Sequence, residues 1–136
     1  MKIVINSDFG GFGLSHEALE LLAKKKGHER LYWFEFPHSV LMEETYELVA
    51  VSDPTKSLFA IAYTVPDPVV DVTEAFDDDE IDRNDVDLVA VVEELGDKAN
   101  GRHARLHIVE VPDDVDWIIG DYDGREWVAE KHRTWS

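Results

Sequence analysis

The sequence predicts an α+β protein with a mostly antiparallel sheet and two main helices in a single domain spanning 1–136. Three observations carry that expectation. A β-branched opening strand runs into a glycine-rich loop and a capped helix. A later apolar run with helix spacing lies between an aspartate and a glycine. Most of the remaining apolar segments show period-two patterning broken by turn residues, and strands outnumber helices without alternating with them regularly. The chain has 136 residues, of which 44% are hydrophobic, enough to close one core.

Lys2–Asn6 reads as a strand, and Ser7-Asp8-Phe9-Gly10-Gly11-Phe12-Gly13 stops it. Ser15 is placed as the N-cap of a helix starting at His16. Glu17 sits in its first turn, and Leu14 and Leu19 occupy the positions of a hydrophobic staple. Lys24 to Lys26 suit the C-terminal end, and Gly27 the left-handed stop. Leu31–Phe36, Tyr46–Ser52 and Leu58–Val65 read as strands, and the turn Asp53-Pro54-Thr55-Lys56 predicts a hairpin between Glu47–Val51 and Leu58–Tyr63. Repulsion within Asp77-Asp78-Asp79-Glu80 predicts an open, exposed acidic loop near 66–85. Asp85 then precedes a helix whose apolar positions are Leu88, Val89, Val92 and Leu95, with Gly96 as its stop. Leu106–Val111 is a strand, and Asp123-Gly124 between Trp117–Asp121 and Glu126–Glu130 is a strong hairpin signal.

Thirteen Lys and Arg against thirty Asp and Glu give a formal charge of −17. That sign disfavours general binding to nucleic acid or to an anionic membrane surface. With no cysteine, disulfides, thiolate metal sites and cysteine nucleophiles are excluded, in keeping with a reducing cytoplasm. The histidines hold no His-Glu-x-x-His pattern, and His103 and His107 are too far apart along a strand to share one metal, so neither a metal nor another cofactor is expected. No serine has a nucleophile-elbow context.

Lys2–Asn6 with Phe9–Ser15, Arg83–Leu88 with Val91–Gly96, and Ile108–Asp114 with Tyr122–Gly124 and Glu130–Trp135 together resemble an uncharacterised family of small acidic proteins carried by bacteriophages and prophages. The resemblance covers the first 15 or so residues and most of the last 55. It implies an accessory phage protein acting in a bacterial host cytoplasm, and it carries over no catalytic residue. By analogy, such proteins include counter-defence factors that sequester nucleotide signals.

Two segments are candidates for an anion site. Gly10, Gly11, Phe12 and Gly13 precede a helix N-terminus at Ser15, where backbone N–H groups and the helix dipole suit a phosphate; the same glycines also suit a tight strand-to-helix turn. Arg133, Thr134 and Trp135 combine a bidentate cation with a stacking surface, or else neutralise carboxylates and fill the core. The leading expectation is non-catalytic sequestration of a small anionic ligand, nucleotide-like or of ADP-ribose type, by a homo-oligomer. The alternative is an acidic interaction protein, a DNA mimic or an inhibitor of a basic host protein. An enzyme acting on a phosphorylated small molecule is the third reading.

Overall fold

A computed structural model describes residues 1–36, 48–57, 59–70 and 72–131. It is an α+β fold in which every strand pair is antiparallel: β1 (Lys2–Asn6), α1 (His16–Lys25), β2 (Tyr32–Glu35), β3 (Val49–Ala50), β4 (Ile61–Tyr63), α2 (Val86–Leu95), β5 (Leu106–Glu110), β6 (Trp117–Tyr122) and β7 (Arg125–Glu130). None of the described helices is long and apolar enough to cross a membrane. The chain gathers into two compact units, Met1–Leu22 with Ile81–Ser136, and Ala23–Glu80.

The first unit contains two two-stranded sheets, β1–β5 and β6–β7. β1 pairs with β5 from Lys2 opposite Glu110 to Asn6 opposite Leu106. Ile3, Val4 and Ile5 are buried, and so are Leu88, Val89, Val91 and Val92 of α2. Each such aliphatic side chain removed from water contributes about 2 kcal/mol. Helix α2 begins where Asp85 Oδ1 accepts from the Asp87 and Leu88 N–H groups, at 2.9 and 3.1 Å, and ends at Gly96. Helix α1 is capped by Ser15, whose Oγ accepts from the Ala18 N–H at 3.1 Å. Gly27 follows its last turn at φ +95°. The Asp123-Gly124 turn has φ values of 50° and 87°, both positive as a two-residue type I′ turn requires. At the chain start, the Met1 ammonium donates to Asp113 Oδ1 at 2.6 Å. That hydrogen bond, with the ammonium charge behind it, holds the exposed Asp113 carboxyl below its ordinary range.

In the second unit, β2 is the centre of a three-stranded sheet ordered β3–β2–β4, which corrects the expected hairpin. Phe34 lies opposite both Ala50 and Ile61, so β3 and β4 flank β2 on opposite edges instead of pairing with each other. The aromatic strand is the one that both neighbours must cover: Trp33 is buried, and the Phe34 and Tyr63 rings meet edge to face at 5.7 Å. Asp53-Pro54-Thr55-Lys56 does form a turn, with Asp53 Oδ1 accepting from the Thr55 N–H and hydroxyl, but it is a 3₁₀ turn within a longer crossing. Residues 46, 47 and 58 of the expected strands lie outside the described residues. The acidic run also differs from the open chain that repulsion suggested. Asp78–Glu80 closes into a 3₁₀ turn, with the Glu80 N–H on Asp77 O and the Asp79 N–H on Asp77 Oδ1. A carboxylate that caps its own turn recovers hydrogen bonds that offset the crowding.

Replacing Asp85 with Ala removes two bonds at one helix end and is expected to cost about 1 kcal/mol. Urea unfolding should show it as a lower midpoint with an unchanged slope.

Candidate functional site

The glycine loop leaves β1 at Asn6, a polar residue with no solvent exposure. A buried amide is tolerated only when its hydrogen-bonding groups find partners. Asn6 Nδ2 donates to Asp8 O and to Gly124 O, both at 2.7 Å. Its Oδ1 accepts from Arg105 N at 2.8 Å and from Asp8 N at 3.3 Å. Two donors and two acceptor positions are thereby used, and one side chain joins the glycine loop, the entry to β5 and the β6–β7 turn.

A charged pair continues this network. The Asn6 N–H donates to Glu126 Oε1 at 2.8 Å, and Glu126 receives Arg83 in a bidentate fork of 2.6 and 2.9 Å. The Glu126 side chain is 8% exposed and that of Arg83 20%. The Arg83 guanidinium carbon lies 3.5 Å from the Phe12 ring centroid, so the loop aromatic covers the cation. Arg83 also bonds to Val4 twice, its carbonyl accepting from Val4 N and its side-chain Nη1 donating to Val4 O.

The glycines serve close backbone approach. A side chain at Gly124 would collide with the Gly11 backbone, and one at Gly101 would stand 2.8 Å from the Gly13 carbonyl. Gly10, at φ +113°, donates its N–H to Asp123 O at 3.0 Å and lies against His103. Ser15 Oγ, besides capping α1, donates to Lys98 O at 2.6 Å, and Ser15 N donates to Ala99 O. Thus the Gly10 N–H and the Ser15 hydroxyl are held by the fold. Space remains on one side: a Cβ at Gly11 or Gly13 would meet nothing within 4 Å.

Folding brings Gly10, Gly11, Phe12, Gly13 and Ser15 together with a segment that sequence reasoning passed over. Lys98-Ala99-Asn100-Gly101-Arg102-His103-Ala104-Arg105 carries three of the thirteen Lys and Arg in eight residues and no carboxylate. It is fastened along the loop through Ser7–Arg105, Gly13–Gly101 and Ser15–Ala99 backbone bonds. Lys98, Arg102, His103 and Arg105 are all exposed, as are Phe9 at 53% and Tyr122 at 68%. The local inversion of charge was the available signal, and the net charge of the whole chain masked it. Arg133, Thr134 and Trp135 lie outside the described residues.

The second unit has its own polar cleft of about 280 Å³ beside Glu35, Asp53 and Lys56, where Ser57 Oγ donates to Glu35 Oε2 at 2.6 Å. Among the described residues its lining includes no histidine.

Glu126→Ala leaves the Arg83 charge uncompensated and is expected to cost about 3 kcal/mol, the low end for buried pairs because Arg83 keeps some solvent. Adding Arg83→Met to Glu126→Ala should restore part of that loss in chemical denaturation. Gly124→Ala should be worse tolerated than either, with loss of the cooperative transition, since both its φ and its approach to Gly11 exclude a side chain. No known protein family, curated protein or solved structure matches the chain.

Proposed function

We propose that the chain is a non-catalytic binder of a small anionic ligand, nucleotide-like or of ADP-ribose type. In this reading it acts as a phage accessory protein that sequesters the ligand in the host cytoplasm and blunts a defence response. The observation that carries this reading is the Lys98–Arg105 segment, a carboxylate-free cationic stretch folded against a glycine loop whose Gly11 flank is open. Arg102 and Arg105 supply the charge and fork geometry suited to phosphate, and Phe9 and Tyr122 supply exposed rings for a base. Gly11 and Phe12 line the approach, whereas Ser15 supports the loop from behind. Arg133 and Trp135, singled out by their residue types, belong to the proposal as additional contacts.

The acidic-surface alternative has an observation of its own. Asp77, Asp78 and Asp79 bring one carboxylate oxygen each within 4.8 Å of one another, a concentration of negative charge suited to a basic partner protein. Such a complex would weaken steeply with salt and on neutralising that run.

Calorimetric titration with AMP and with ADP-ribose separates these readings. Sequestration predicts stoichiometric binding without turnover and a loss of affinity of at least about tenfold in Arg102→Glu/Arg105→Glu, because each charge-assisted phosphate bond is worth about 1.5–3 kcal/mol. The same double variant should keep the wild-type unfolding midpoint within about 0.5 kcal/mol, since both side chains are exposed. A folded protein that binds neither probe would remove the reading, and conversion of a probe to product would replace it with the enzyme.

A further inference from the structure

The β6–β7 hairpin has two chemically different faces. Its register places Ile118, Gly120 and Tyr122 opposite Ala129, Trp127 and Arg125. Because side chains alternate along a strand, these six share one face. The other face holds the three carboxylates Asp121, Glu126 and Glu130 together with Trp117, Ile119 and Val128. In a chain with thirty carboxylates, the first face has none, and its one charge is the cation Arg125. Its large apolar members are open to solvent: Ile118 at 47%, Trp127 at 48% and Tyr122 at 68%.

Trp127 is held in a definite pose. A Cβ built on Gly120 would fall against Cε2, Cζ2 and Nε1 of the indole. Cε2 is a ring-fusion carbon and the other two atoms are bonded to it, so the ring lies face down on the glycine backbone. Gly120 is what allows that pose, and the indole keeps its opposite face available for stacking. Tyr122 lies diagonally across the ladder, about 7–8 Å away by strand geometry. Stacked neighbours in a helix are closer than this, so the two rings suit two bases held apart.

This face also continues into the proposed anion site. Tyr122 precedes Asp123, whose carbonyl accepts the Gly10 N–H, and Gly10 in turn lies against His103 of the cationic segment. Arg125 is the cross-strand partner of Tyr122. We infer that the outer face of the β6–β7 hairpin is a base-stacking platform, with Trp127 and Tyr122 each taking one base and Arg125 the intervening phosphate. The ligand class that follows is a short oligonucleotide of at least two nucleotides, in preference to a mononucleotide. The inference rests on the anionic-ligand reading and adds the second base to it. A second copy of the chain is a poorer occupant, since it brings another −17 of charge to the contact.

The test compares AMP with the 5′-phosphorylated dinucleotide pApA by calorimetry, on the wild type, Tyr122→Ala and Trp127→Phe. Trp127→Phe keeps a ring over Gly120 where Trp127→Ala would expose the hairpin backbone, and Tyr122 is exposed enough to truncate without loss of folding. The wild type is expected to prefer pApA by about tenfold or more, the usual worth of one stacked base. Tyr122→Ala should bring that preference down to about threefold or less, and the Trp127 indole N–H resonance should shift on adding pApA. Equal binding of both probes, with silent variants, would overturn the platform and leave the anion site standing. Binding of neither probe would remove the anion site and the platform with it. A protein mass in sedimentation that falls from dimer to monomer in Tyr122→Ala would assign the face to self-association and overturn the inference.

Discussion

The architecture of the first unit depends on the burial of a single amide. Asn6 ends a strand whose three preceding residues are apolar and buried, and it shares their lack of exposure. Burying that group without partners would cost several times the net gain of a typical hydrogen bond. Its four bonds therefore require that the Gly124 carbonyl, the Arg105 N–H and the Asp8 peptide all arrive at one point. Two loops and a turn converge there, and the glycines at 10, 101 and 124 follow from how closely their backbones must approach. Glu126 extends the same logic: it accepts the backbone N–H of Asn6 itself and brings Arg83 to neutralise it. This end of the unit is held by directional bonds in place of apolar packing, which defines its geometry more narrowly than a core contact would.

That rigidity bears on the proposal that an acidic protein binds an anion. Charges separated by more than about 8 Å of salt solution are largely screened at physiological ionic strength. The field at the glycine loop is therefore set by groups close to it, among them Arg102, Arg105 and Arg125. Two carboxylates near the loop also accept backbone bonds: Asp8 Oδ1 from the Phe9 N–H, and Asp121 Oδ1 of β6 from the Gly124 N–H, both at 2.8 Å. Net charge governs solubility and indiscriminate association; the proposed ligand responds to a few groups at short range.

What could be read from the sequence was local. The caps at Ser15 and Asp85, the stop at Gly96 and the Asp-Gly turn depend on residues within a few positions of one another, and their bond partners are close in the chain. The order of the second sheet was not legible, because β3 and β4 each seek the aromatic β2 and nothing in their own composition excludes pairing together. Nor was the Asn6 network, whose partners stand up to 120 residues away, or the Arg83–Glu126 pair, 43 residues apart. The glycines at 10–13 were legible as a loop. Their packing role was hidden because the segments they meet, around Gly101 and Gly124, are identified only by the fold.

The period of two in β7 connects these levels. Glu126 faces inward to the Asn6 N–H, and this one bond excludes a register slip, since a shift by one residue would bury Arg125 or Trp127 and expel the carboxylate. With Glu126 fixed inward, Arg125 and Trp127 must face outward, and the pairing of Trp127 with Gly120 lays the indole flat. The outer face is thus positioned by a polar bond on the inner one. An exposed tryptophan on a two-stranded hairpin would ordinarily be mobile, because such a hairpin alone is marginally stable. Here the hairpin is tied through Glu126 and Gly124 to the buried amide, which leaves less ordering to occur on binding in the proposed platform.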